Sequence, residues 1–334
     1  MTSRRLLAFA ASAALLAAPA APARAIDPAA GTGGANFMKL GIGSARALAL
    51  GGAYVALAEG VDAITWNPGG LALAQQREFT WSHYSYVQDI GGTSPFNPKS
   101  LFMGYAHPLG RTVFGANFGY MSIDGFEVRD EVGHLLDDSS VRVQDGFFAL
   151  SASRSFWYEK LFLGGSLRGI YEDNAGTIHS VLVGDAGVLL RPNQYVTFGA
   201  AAQNLGASVE KVAQVTRFGA AGKVLELLTL SAELNKANDN TTRIGLGAEF
   251  ILPEDLLQVG QLALRAGFHS ADDMGQVLEQ DRSFLYPLIG PPQWSFGIGL
   301  YSAQAFGYGL HFDYTMVSMG ALGTGKMMSL KVKF

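Results

Sequence analysis

From residue 77 onward the chain alternates apolar residues with small or polar ones. In β-structure that period places each set on its own face. Residues 111–121 put Phe114, Phe118 and Tyr120 on one side and Gly115, Asn117 and Gly119 on the other. Residues 305–316 set Phe306, Tyr308, Leu310, Phe312, Tyr314 and Met316 against Gly307, Gly309, His311, Asp313 and Thr315. Fourteen such segments are expected, at 77–90, 99–109, 111–124, 140–154, 159–173, 176–192, 194–205, 212–224, 226–235, 240–252, 259–270, 293–302, 305–318 and 326–334. Short connections at Gly110, Pro192-Asn193, Leu225 and Ala303-Gln304 alternate with longer ones at 125–139, 206–211 and 271–292. Short turns at one end, long loops at the other and an even strand count are the asymmetry of a membrane barrel. The expected fold is all-β: a transmembrane antiparallel β-barrel of about 14 strands, apolar face to lipid and small or polar face to the lumen.

The stretch before the barrel has no such alternation. Residues 43–75 are rich in Ala, Gly and Leu, and Asn67-Pro68 reads as a helix start, with Asn67 as N-cap and Pro68 in the first turn. A short helix over 68–74 and another near 44–50 are expected. The block is too small for its own domain, so residues 26–76 are assigned to a helical or irregular plug in the barrel, which spans 77–334. Residues 1–25 read as a secretory signal peptide: Arg4 and Arg5, an apolar core, and the small-residue site Ala23-Arg24-Ala25.

Composition narrows the class. Hydrophobic residues make up 49% of the chain and charged ones 16%, against about 25% charged in soluble domains. No stretch supplies the roughly 18–20 consecutive apolar residues of a spanning helix. With no cysteine, disulfides, a cysteine lipid anchor and thiolate metal sites are excluded. A net charge of −4, with no basic run past the signal peptide, gives nucleic acid no electrostatic footing. No cofactor is indicated, and the histidines lack metal-ligand spacing.

Gly320, Gly325 and Lys326 fit the spacing of a phosphate loop. Met327 stands where Ser or Thr would hold Mg²⁺, and a period-two ladder of Met328, Leu330, Val332 and Phe334 follows. The ladder reads as a closing strand, with Lys331 and Lys333 turned inward.

Two stretches carry a family resemblance. GSARALALGGAYVALAEGVDAITWNPGGLA, residues 43–72, resembles the N-terminal signature of the PorV/PorQ family of FadL-like outer-membrane barrels, and DYTMVSMGALGTGKMMSLKVKF, residues 313–334, resembles its C-terminal stretch. The resemblance implies a fourteen-stranded barrel with an N-terminal segment folded into it, in the outer membrane of a Gram-negative bacterium. It also implies that Phe334 serves recognition by the barrel-assembly machinery. Some members serve type IX secretion by carrying cargo, while FadL relatives pass hydrophobic molecules inward. Transport of hydrophobic solutes is the first reading and a cargo-binding surface barrel with a sealed lumen the alternative; neither is enzymatic. The partners expected are outer-membrane lipid, the assembly machinery, and hydrophobic small molecules or secreted cargo proteins.

The candidate residues each have a bland reading beside the functional one. His311 and Asp313 share a lumen face and suggest a catalytic pair, or else a polar lumen network. Arg46, Glu59 and Asp62 either gate a channel or pair with lumen charges such as Arg168, Arg243, Glu249 or Arg265. Trp66, beside Asn67, packs the plug. In the loop 271–292, Phe284, Leu285, Tyr286, Leu288 and Ile289 form an apolar cluster that either binds a partner or folds over the barrel mouth.

Overall fold

The structure, a computed structural model, describes residues 33–334 apart from 41–42, 86–96, 131, 175, 225, 241, 255–259, 271–291, 306 and 320–322. The loop cluster 284–289, Phe306 and the signal-peptide residues lie outside the described residues. Fourteen strands form one closed antiparallel barrel. They are β1 Glu78–Ser85, β2 Asn97–Leu109, β3 Thr112–Arg129, β4 Leu135–Phe156, β5 Leu161–Asn174, β6 Thr177–Leu190 and β7 Val196–Leu205. The circuit continues through β8 Val215–Val224, β9 Leu228–Ala237, β10 Thr242–Leu252, β11 Gln261–Ser270, β12 Pro292–Ala305, β13 Tyr308–Ser318 and β14 Thr324–Lys333. Closure is made by β1 on β14, with Glu78 opposite Lys333 and Ser85 opposite Lys326. Gly325 and Lys326 of the phosphate-loop spacing therefore lie at the start of a barrel strand, and Gly320 lies outside the described residues.

Alternation fixes which face turns out, because a one-residue slip would put the charged set outside. Phe114, Phe118, Phe148, Leu150, Leu167 and Leu182 are exposed on the outer wall. Their neighbours Asn117, Ala149, Arg168 and Val183 are buried in the lumen. Among the described residues no helix is long and apolar enough to cross a membrane.

Two sequence expectations need correction. Residues 125–139 are not a loop: β3 runs to Arg129 and β4 begins at Leu135. Phe126 and Val128 against Glu127 and Arg129 carry the alternation on along β3, while Asp137, Asp138, Ser139 and Ser140 at the start of β4 give no apolar signal although the backbone pairing continues. Likewise Ala303-Gln304 is not the turn, since β12 continues to Ala305.

Residues 33–40 and 43–74 lie against the inner wall with short helices: 3-10 turns at Asn36–Leu40, Gly60–Asp62 and Pro68–Leu73, and α-turns at Ala45–Ala49 and Ala63–Trp66. Each local start has a cause. The Ser44 hydroxyl accepts from the Ala47 N–H, and the Asn67 side chain accepts from the Gly69 N–H, with Pro68 following. Helices this short are unstable alone, so the wall holds them. Wall glycines permit backbone-on-backbone contact. A Cβ on Gly187 would stand 2.2 Å from Asn67 Oδ1, and one on Gly267 2.1 Å from the Gly51 nitrogen.

Candidate functional site in the barrel lumen

The lumen holds two chemically distinct regions. The first is ionic. Arg46 of the N-terminal segment forks onto Glu249 of β10, at 2.9 Å from Nε and 2.7 Å from Nη2, and also reaches Glu59. Arg265 of β11 shares Glu249 Oε1 with Arg46, at 2.7 Å from its Nε, and holds Asp313 of β13 at 2.7 Å. Asp62 pairs with Lys331 at 3.1 Å and accepts from the Ser44 hydroxyl at 3.0 Å. Glu78 accepts the Val61 N–H at 3.1 Å and faces Lys333 at 3.4 Å. Glu233 of β9 binds Arg217 of β8 at 2.7 Å and accepts the N–H groups of Tyr54 and Val55 at 2.9 and 2.7 Å. Arg168 of β5 pairs with Asp185 of β6 at 2.6 Å. Buried charges persist only when paired and hydrogen-bonded, and here the wall and the segment supply each other's partners.

The individual candidates fall into place within this network. Trp66 meets Tyr54 edge to face, centroids 5.9 Å apart, and carries the Arg217 guanidinium over its ring at 4.6 Å. Asn67 donates to the carbonyls of Val55 and of Val188 on β6, at 2.8 and 2.9 Å, besides capping its own turn. Asp313 accepts from Arg265 and from the Tyr301 hydroxyl, while His311 stacks on the Tyr301 ring with centroids 4.6 Å apart. His311 and Asp313 thus take part in separate contacts around Tyr301. Phe334 follows the last strand, half-exposed, and its N–H donates to the Arg77 carbonyl.

The second region is apolar and was not anticipated from a lumen described as small and polar. Towards the loop end, Tyr84, Phe102, Met121, Phe147, Ile170, Val183, Val317 and Met327 turn inward and pack with Ala35, Phe37, Ala45 and Leu48. Their strands are contiguous from β13 through closure to β6, so they form a crescent along one side. Phe147 stacks with Phe37 at 6.3 Å and meets Phe102 in a tilted contact at 6.2 Å. A sequence signal existed: apolar doublets at Phe102-Met103, Phe147-Phe148, Ile170-Tyr171 and Met327-Met328, where both faces of the strand are apolar.

Two hollows flank Phe147. An interior cavity of ≈ 20 Å³ lies between the segment and the wall, bordered by Trp66, Phe147, Arg168 and Arg217 among others. That is room for about one water. On the outer wall, an apolar groove of ≈ 580 Å³ runs over β3 to β6 between Phe118, Phe148, Tyr171 and Leu182. Outward-facing Gly146 and Gly169 line it, and Phe147 borders it too.

No family model and no curated protein matches the chain. Solved structures do. The Ralstonia pickettii toluene transporter TbuX is 14% identical with a TM-score of 0.58, the likeness covering 87% of this chain and 97% of that one. The Pseudomonas putida toluene transporter TodX is 13% identical at a TM-score of 0.55, over 86% and 96%. A Pseudomonas aeruginosa FadL homologue is 11% identical at 0.51, over 93% and 99%. The likeness is one of fold: a closed fourteen-stranded barrel of the FadL type.

Proposed function

We propose that the protein sits in the outer membrane and admits hydrophobic small molecules through a FadL-type barrel, with residues 33–74 as the element that must yield. The observation that carries this reading is the apolar crescent. A lumen that served only to seal could be polar throughout, yet eight contiguous strands turn apolar side chains inward at the loop end. Once the segment has yielded, an apolar solute meets there a surface on which it loses its hydration shell. The groove over β3 to β6 lies on the other side of the same wall, with Phe147 bordering both hollows. The toluene transporters and the FadL homologue named above share the fold and support a solute of that class. Export by the signal peptide at 1–25 and assembly through Phe334 complete the reading, which is not enzymatic.

The test is uptake of a monoaromatic hydrocarbon by cells whose lipopolysaccharide-bearing outer membrane carries the protein, against cells that lack it. Wild type should accelerate uptake, and Phe102→Asp should abolish the gain while the barrel still runs as a heat-modifiable band. Uptake equal to that of cells lacking the protein refutes transport.

One observation favours a second reading. The interior cavity is only ≈ 20 Å³, which suits a sealed barrel of PorV/PorQ type that presents its loops to secreted cargo. In that case uptake stays at background, and deleting 271–292 abolishes cargo attachment.

A further inference from the structure

The interior cavity has a chemical bias that the transport reading does not use. Lys39, Arg168 and Arg217 border it, and no carboxylate is among its lining residues. Their partners Asp239, Asp185 and Glu233 stand outside the lining, so three ion pairs present their cationic ends to one small space. Two lining residues carry buried donors with no hydrogen-bond partner, Trp66 at Nε1 and Arg168 at Nε. Both residues are nearly inaccessible, at 2% and 1%. Stranding a buried donor costs about 1–3 kcal/mol, more for a charged group, so two beside one cavity call for an acceptor.

Among the lining side chains the amide oxygens are engaged and the Thr65 hydroxyl donates to the Asp62 carbonyl, while Asp185 Oδ2, which has no hydrogen bond, stands outside the lining. The Gln203 carboxamide oxygen accepts from Arg217 and that of Asn204 from Arg168, while the Thr65 carbonyl accepts from Gln203. A water there would satisfy the donors but would also have to place two hydrogens of its own in a lining whose charged groups are all cationic. A monoatomic anion accepts from every side and donates nothing. The Arg217 guanidinium 4.6 Å over the indole ring withdraws electron density and makes Nε1–H a stronger donor. The remaining lining includes Met38, Phe147 and Val215, neighbours that a weakly hydrated halide tolerates better than a polyatomic oxyanion would.

We propose that this cavity binds a halide ion, chloride under ordinary conditions. The ion is held between Trp66 on the N-terminal segment and Arg168 and Arg217 on the wall. It would fasten the turn Ala63–Trp66 to β5, β7 and β8, and so make the seating of the segment dependent on the anion present.

The deciding experiment is an anomalous-scattering map from crystals of the full barrel soaked in bromide. A peak within hydrogen-bond reach of Trp66 Nε1 and Arg168 Nε supports the site; its absence overturns it. Unfolding of the detergent-solubilised protein is then followed in sodium chloride, bromide and gluconate at equal ionic strength. A saturable rise in unfolding temperature is expected with the halides alone, and coincident curves count against the site. Trp66→Phe keeps the ring and removes the donor, so it should weaken both the peak and the halide dependence. Unchanged bromide occupancy in that variant would remove Trp66 from the site.

Discussion

Glu233 offers the sharpest test of how the N-terminal segment is held. It is 3% exposed, and its two oxygens serve three donors: the Arg217 guanidinium and the Tyr54 and Val55 amides. Glu233→Ala strands the guanidinium in a buried site, which costs about 3–5 kcal/mol when one partner of such a pair is removed. Two backbone N–H groups lose their acceptor as well, at about 1–3 kcal/mol each. The terms do not add, because water entering the vacated volume meets some of the demand. A net loss of about 3–5 kcal/mol is expected. It should fall on the segment and not on the barrel, since the β8–β9 and β9–β10 ladders are made by backbone groups that the substitution leaves intact. The assay is trypsin digestion of the folded protein in detergent, watching cleavage at Lys39 and Arg46, alongside heat-modifiable migration for the barrel. Glu233→Ala should expose both sites in a barrel that still migrates as folded. Arg217→Met combined with Glu233→Met removes both charges and should recover much of the protection. If the single variant is as protease-resistant as wild type, the ionic account of the plug fails.

Three further outcomes follow from the wall. Gly187→Ala drives a Cβ to within 2.2 Å of Asn67 Oδ1, an overpacking cost of about 1–3 kcal/mol; faster proteolysis of the segment with an intact barrel is the expected readout. Leu150→Arg, at a position 55% exposed on the outer wall, should cost about 2–4 kcal/mol near the bilayer midplane, measured by guanidinium unfolding in lipid vesicles; an unaffected barrel would mean that this face does not meet lipid. Phe334→Asp should lower the amount of barrel inserted in the outer membrane, measured by fractionation, and normal levels would deny Phe334 its assembly role.

The barrel could be read from the sequence because each strand declares its own faces. Phe114, Phe118 and Tyr120 against Asn117 and Gly119 need no partner to be interpreted. The same local logic found the cap at Asn67, since a cap and its turn are neighbours in sequence. The ion pairs were another matter. Arg46 and Glu249 are 203 residues apart, and nothing along the chain selects Glu249 for Arg46 over another inward carboxylate. The charges were legible as lumen groups, their pairing only after closure. Glu233 and Asp185, which carry as much of the network as any residue named in advance, were passed over because an acid on the polar face of a strand looks like any other. The crescent went unread because Phe147-Phe148 or Met327-Met328, taken singly, breaks the alternation that identifies a strand. Only when eight inward side chains meet in one cluster does the break become a surface.

Whether the segment moves can be decided on the side where its contacts are apolar. Against β2 and β3 it presents Val61, Ile64 and Leu71 to Gly104 and Gly115, whereas towards β8 to β14 it is tied through Glu233, Glu249 and Lys331. Apolar contacts part without stranding a charge, and the one polar tie beside them is the Val61 N–H on Glu78 of β1, so if the segment is displaced the motion would start at β2 and β3, beside the strands that form the outer groove. A Cβ on Gly104 would lie 2.3 Å from Val61 Cγ1. One carbon–carbon bond of about 1.5 Å further, the two β-carbons are at most ~3.8 Å apart, at the short end of the ~3.5–4.5 Å that a disulfide spans. The chain has no cysteine, so Val61→Cys with Gly104→Cys gives a single defined bridge. Oxidised, it pins the segment to β2; reduced, it frees it. If solute passes by displacement of the segment, hydrocarbon uptake should fall to background on oxidation and return with dithiothreitol, with an unchanged folded band on gels in both states. Uptake that is substantial and indifferent to the bridge would mean that solute crosses without moving this side of the segment, and the hinge placed at β2 and β3 would have to be abandoned.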